Sequence, residues 1–167
     1  MTAARGPLVV GLGSHDRGDD AVGPAVARAL SALRLPGVEV VEHEDPTALI
    51  ELWDERSLVI VVDAVCSGGT PGSLIVLETG TDDTPLRESA WAATGRGGTH
   101  ALGLAATVEL ARALGRLPRR VVVLGVEAAG FDHGQPLSTP VALAVGRGVA
   151  VVTGLLREAT VAERLAG

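Results

Sequence analysis

The chain has 167 residues, enough for a full hydrophobic core, and 47% of them are apolar, which excludes a disordered chain. A net charge of −6 and a pI near 5.1, with no cluster of arginines and aromatics, disfavour a nucleic-acid binder. A lone cysteine, Cys66, excludes an internal disulfide and a cysteine zinc cluster, and fits a reducing cytoplasm. The N-terminal MTAARGPLVV lacks the apolar run and cleavage site of a signal peptide. Arg147 and several glycines interrupt the apolar stretch near the C-terminus, so no membrane-spanning segment is expected. Residues 1–167 read as one cytoplasmic domain whose core, with aromatics at only 2%, must be built from valine, leucine, isoleucine and alanine.

Residues 8–10 read as a short buried strand, followed by a turn at Gly11 and Gly13 and by the acidic pair Asp19 and Asp20. Glycines there let the backbone turn sharply at the carboxyl end of the strand, where open α/β sheets place their ligands. A dinucleotide site calls for a third glycine three residues after Gly13. Asp16 stands there instead, and with Asp19 and Asp20 close behind it would repel a pyrophosphate. Adjacent carboxylates suit a cation or proton transfer, unless one of them only caps the helix beginning near Ala21.

That helix carries Val22, Val26, Leu30 and Leu33 at helical spacing and is stopped by Pro36-Gly37. Residues 38–41 form a second predicted strand, and Thr47 opens a short helix with Leu49, Ile50 and Trp53 as packing residues. Residues 58–62 are an unbroken aliphatic run, the mark of a strand covered on both faces, and the run ends in Asp63. Residues 74–77 read as an edge strand after Pro71-Gly72. A polar stretch over 79–98, containing Trp91, reads as a mobile loop. Thr99 is placed to cap a helix that holds His100 in its first turn and presents Leu102, Ala106, Leu110 and Leu114. Leu117-Pro118 ends it, and residues 121–126 form the next buried strand. Residues 130–135 make a glycine-rich loop, and Thr139-Pro140 start a last helix running to about Arg157. Strands alternating with helices predict an α/β fold: a three-layer sandwich with a mostly parallel sheet of about five strands flanked by helices.

In such a sheet the carboxyl ends of the strands share one edge, so Asp20, Asp63 and His100 can converge there. Two carboxylates and an imidazole make an open site suited to nickel, zinc, manganese or iron rather than to copper(I) or an iron–sulfur cluster. Each residue also has a plain structural reading: a helix cap at Asp20, a turn cap at Asp63, a solvated surface group at His100.

At these residues the chain resembles the hydrogenase maturation proteases, which trim the C-terminal extension from the large subunit of nickel–iron hydrogenases. The resemblance rests on VVGLGSHDRGDDAVG, VVDAVCSGGTPGSL, GTHALGLAATVELARALGRLP, and VVVLGVEAAGF followed by LSTPVALAV, and covers nearly the whole chain. In that family an acidic residue of the first motif, the aspartate of the second and the histidine of the third bind metal, and they map onto Asp20, Asp63 and His100. The resemblance implies a metal-dependent endopeptidase with these three as catalytic and metal-binding residues. It also implies nickel carried in by the substrate (other divalent ions can substitute) and a hydrogenase large-subunit precursor as partner, with neither nucleic acid nor membrane involved. Ser14 stands where the family commonly has asparagine, and Ala21 where it commonly has glycine. His15 and the run Glu42, His43, Glu44, Asp45 are additions to the family pattern.

The other readings are a small-ligand or nucleotide-binding α/β module cradled by Gly11 and Gly13, a related peptidase acting on another precursor, and a metal-sensing partner without proteolysis. Cys66 lies beside Asp63 with no partnered base in the sequence, which argues against a thiol nucleophile. Glu127, at the end of a buried strand, takes a secondary place near the cleft. His43 and His133 are expected at the surface, and Trp53 and Trp91 in packing, with Trp91 also a candidate for contact with a partner.

Overall fold

The computed structural model describes residues 5–81 and 99–167, with the backbone alone at 99–102. The expected loop beyond Thr81 and its Trp91 lie outside the described residues. Strands β1 (Leu8–Leu12), β2 (Glu39–His43), β3 (Leu58–Val65), β4 (Leu74–Thr79) and β5 (Arg120–Glu127) form one sheet in the order β2-β1-β3-β5-β4. β2, β1, β3 and β5 run parallel, and β4 alone is antiparallel, on the outside of β5. Helix α1 (Val22–Ala32) follows a 3-10 turn at Gly18–Ala21. The short α2 (Leu49–Leu52) follows another turn at Pro46–Ala48, α3 spans Thr99–Ala113, and α4 spans Thr139–Ala166.

The strand sequences explain the layering. Every residue of β1 and β3 is buried, as uninterrupted valine, leucine and isoleucine runs require when helices cover both faces. Successive side chains alternate faces. Val10, Leu12, Val59 and Val61 enter a core with Leu49, Trp53, Leu104 and Val108, under α2 and α3. Val9, Ile60, Val62 and Leu124 enter a second core with Val22, Val26, Ala144 and Val152, under α1 and α4. Trp53 is wholly buried, as its packing role requires.

Three expectations about the elements change. β3 does not end at Asp63 but continues to Val65, so Asp63 is an interior strand residue, paired in register with Gly125 and fully buried rather than at a lip. In α3 the row of Ala106, Leu110 and Leu114 faces solvent, and Leu104, Thr107, Val108 and Ala111 are buried. This helix is nearly all apolar or small, so two rows match the helical period and only packing against α2 and the Pro46–Ala48 turn chooses between them. The register predicts that Leu110→Lys leaves the thermal midpoint within about 2 °C, whereas Leu104→Ala lowers stability by about 2–4 kcal/mol. A denaturant titration of the two variants checks it.

The third change concerns α4, which continues through Arg147 and its glycines for 28 residues instead of stopping near Arg157. By length and composition alone it would cross a membrane. Here, though, Val141, Ala144, Gly148, Val152 and Leu156 form a buried stripe on the sheet, and a Cβ at Gly148 would stand 3.3 Å from the Val26 side chain. Its N-cap is Ser138, which puts Thr139 at the first helical position and Pro140 at the second.

Candidate active site

The site is built where β1 and β3, adjacent and parallel, meet the start of α1. Val62 pairs with Gly11, so Asp63 emerges one residue further along, level with the last residue of β1. β1 then turns at Gly13, whose φ of +139° lies in a region that side-chain-bearing residues rarely adopt. A Cβ at Gly13 would stand 2.0 Å from the carbonyl oxygen of Asp20, so the bare glycine lets the 3-10 turn close onto the strand end. The same economy recurs at Gly23, where a Cβ would meet the carbonyl oxygens of Leu12 at 2.2 Å and Val62 at 2.5 Å. Helix α1 is thus seated directly on the carboxyl ends of the two central strands.

This seating delivers Asp20 to Asp63. Asp20 is buried, and its Oδ2 accepts a hydrogen bond from the Ser14 backbone N–H at 2.9 Å. Asp63 is fully buried, and among the described residues neither of its carboxylate oxygens has a hydrogen-bond partner. Burial raises the Asp63 carboxyl well above the ordinary carboxylate range, and the negative charge of Asp20 raises it further. A buried acid with two open oxygens beside a second acid is costly to the fold unless something positive arrives. The donor set fits a hard or borderline divalent cation.

Of the three residues singled out from the sequence, the structure therefore brings Asp20 and Asp63 together. His100 has its backbone in the first turn of α3, and its side chain lies outside the described residues. Among the described residues no group of three or more histidine, cysteine, aspartate or glutamate side chains is arranged to hold a metal ion.

Neither acid caps α1: the N-cap is Ala21, without a side-chain hydrogen bond. Asp19, which composition cannot distinguish from Asp20, points the other way. It is buried and accepts from Ala129 N–H (2.7 Å), Gly130 N–H (3.3 Å), Ser138 N–H (2.7 Å) and the Ser138 hydroxyl (2.9 Å). Glu127, also buried, accepts from Ser67 N–H and its hydroxyl and from the N–H groups of Gly68 and Gly69. Its side chain is committed to the loop after β3.

The residues added to the family pattern gather on the outer side of the Gly13 turn. Gly13, His15, Glu42, His43, Glu44 and Asp45 line an open cleft of about 360 Å³. Its wall is held by Glu42, which pairs with Arg28 (3.1 Å) and His15 (3.3 Å), while Asp45 caps the Pro46–Ala48 turn through Thr47 N–H. His43 is partly buried and anchors the turn itself, its carbonyl accepting from Gly13 N–H at 2.9 Å. His133 is exposed, as expected.

Known proteins share this outline. The family described as hydrogenase maturation protease (HycI) matches residues 25–155. Among solved structures, a hydrogenase 2 maturation peptidase from Thaumarchaeota archaeon SCGC_AB-539-E09 is 28% identical, with a TM-score of 0.69 over 90% of this chain and 97% of that one. An endopeptidase from Escherichia coli is 25% identical, with a TM-score of 0.78 over 92% and 93%. The hydrogenase maturating endopeptidase HybD from E. coli, at 24% identity, superimposes with a TM-score of 0.77 over the same shares and speaks for the fold. No protein of curated function matches the sequence.

Proposed function

Because this chain belongs to the hydrogenase maturation protease family, we propose that it is an endopeptidase that removes the C-terminal extension of a nickel–iron hydrogenase large-subunit precursor once nickel is in place. The observation that carries this reading is Asp63, buried beside Asp20 with both oxygens open. Folding alone does not reward that arrangement, and a cation presented by a substrate does. Asp20 and Asp63 supply oxygen ligands to the substrate's nickel and His100, at the start of α3, supplies nitrogen. The metal belongs to the substrate and tells a loaded precursor from an empty one.

The chemistry asked of the protein is then modest. The nickel docks the C-terminal tail so that its scissile carbonyl lies near the carboxylate pair, and a carboxylate of the pair accepts the proton of an attacking water. A thiol mechanism draws no support: Cys66 stands beyond the end of β3, and among the described residues no histidine pairs with it. The family match favours this reading over a nucleotide-binding module, and so does the acid at Asp20, turned toward the strand ends where a phosphate would lie.

The test incubates the purified protein with nickel-loaded and nickel-free precursor and follows the mass of the large subunit. Shortening of the loaded form alone is expected, and cleavage of both forms equally would overturn nickel sensing. Titration with nickel and with cadmium checks the ligands. His100→Ala and Asp63→Ala should each lose the site-specific binding of the wild type while remaining folded. Full processing by His100→Ala would remove it from the assignment.

A further inference from the structure

Two buried carboxylates, Asp19 and Glu127, take no part in the chemistry above, yet both are surrounded by donors. They lie at consecutive points along one path. Asp19, next to Asp20 in the chain, holds the N–H groups of Ala129 and Gly130. Two residues back along the backbone is Glu127, which holds the N–H groups of Ser67, Gly68 and Gly69 in the loop after β3, the first of them four residues after Asp63. Besides the direct pairing of β1 with β3 and the seating of α1 on their ends, a second path from one site carboxylate to the other therefore runs through Asp19, the end of β5 and Glu127.

The rest of the path is backbone. Asp19 N–H donates to the Gly130 carbonyl at 3.0 Å, Gly18 N–H to Gln135, and Gly134 N–H to Asp16, stitching residues 16–19 to the loop after β5. Ala128 N–H donates to the Val65 carbonyl at 2.8 Å, stitching β5 to the end of β3. Removing the backbone bonds from consideration leaves the two carboxylates as the only side chains that span the gaps at both ends of this path among the described residues.

We infer that Asp19 and Glu127 are a linked pair of positioning residues that fix the separation of Asp20 and Asp63. The inference rests on the metal-sensing reading of those two acids. Two facts distinguish it from a generic contribution to stability. The bonds made by each carboxylate go to backbone N–H groups or to serines of loops bordering the site, and none goes to either hydrophobic core. Each carboxylate also accepts from several neighbouring N–H groups at once, so its loss leaves those donors unpaired rather than opening an apolar cavity.

The experiment compares Asp19→Asn and Glu127→Gln with the wild-type protein, all held well below their unfolding transitions. Cadmium affinity is measured by calorimetry, and KM and kcat are measured on the nickel-loaded precursor. Asp19→Asn keeps the side-chain volume but turns an amide N–H toward a backbone N–H donor in either orientation, and Glu127→Gln keeps the volume but removes the charge that holds three backbone N–H groups on one oxygen. Each is expected to weaken cadmium binding by about tenfold and to raise KM by a similar factor, with kcat held within about twofold. A lowered unfolding temperature with unchanged cadmium affinity and unchanged KM would mean a structural role only and overturn the inference. Should either variant fail to fold, Ser138→Ala and Ser67→Ala each delete one bond from the respective carboxylate and should move both readouts two- to threefold in the same direction, and no movement overturns the inference equally. A wild type that neither binds cadmium nor distinguishes nickel-loaded precursor would overturn both the inference and the reading beneath it, whereas a wild type that does both beside unaffected variants removes the inference alone.

Discussion

Asp63→Asn should abolish precursor processing while relieving the folded protein of a pH-dependent burden. The loss expected is about three orders of magnitude in kcat/KM, equivalent to ~4 kcal/mol, because asparagine keeps the shape of the group but not the charge that attracts a metal. The effect on the fold has the opposite sign. The folded-state pKa of Asp63 is raised, by burial first and by Asp20 second, above its ordinary 3.8. A raised carboxyl binds its proton more tightly in the folded than in the unfolded chain. Its favourable contribution is therefore complete below the ordinary value and is lost as pH climbs from there toward the raised one. Over that window the stability difference between wild type and Asp63→Asn should shift steadily toward the variant. Chemical denaturation of both proteins at a series of pH values from about 4 upward reads this out directly. A difference that stays constant with pH would contradict the burial of an ionisable group at position 63. Full activity of the variant would contradict its place in the site.

The same residue shows how far the sequence alone could reach. A charged residue at the end of five consecutive aliphatics is conspicuous, and the alternation of such strands with helices is enough to predict a mostly parallel sheet, though not the order of its strands. Asp63 and the glycine turn were legible for that reason. The depth of Asp63 was not. Whether a strand stops at its first charge or runs on to Val65 depends on what covers it, and Gly125 on the neighbouring strand leaves the space that the Val65 side chain fills. Asp19 and Asp20 are chemically identical neighbours. Only the course of a loop more than a hundred residues later decides that one is saturated by Ala129, Gly130 and Ser138 while the other turns to the strand ends. In α3 the failure was of a different kind. An apolar, alanine-rich helix carries little directional information, so Leu110 and Leu114 matched the period as well as the residues that are in fact buried. The role of Glu127 had one clue, a charge closing a buried strand, but its partners are backbone N–H groups, which no side-chain pattern announces.

Gly13→Ala should carry a large structural effect for a single methyl group. Two independent costs coincide at that position. The φ of +139° is strained for any residue with a Cβ, and the added carbon would lie 2.0 Å from the carbonyl oxygen of Asp20, inside contact distance of an atom that belongs to the backbone. A side chain could rotate away, but a carbonyl of the 3-10 turn cannot move without carrying Asp20 with it. The expected result is a loss of about 3–5 kcal/mol, a fall of roughly 10 °C in the thermal midpoint, and processing lost in whatever fraction remains folded. Gly37→Ala separates the two costs. Gly37 has a φ of +73° and nothing within 4 Å of its would-be Cβ, and it lies between α1 and β2, away from the site. That variant should lose only the roughly 1–2 kcal/mol of backbone strain and keep its activity. If the two alanines cost the same and both proteases stay active, the Gly13 turn is not what sets Asp20 against the end of β3. If Gly13→Ala alone loses activity in protein shown to be folded, the closeness of that turn is a requirement of the site and not only of the fold.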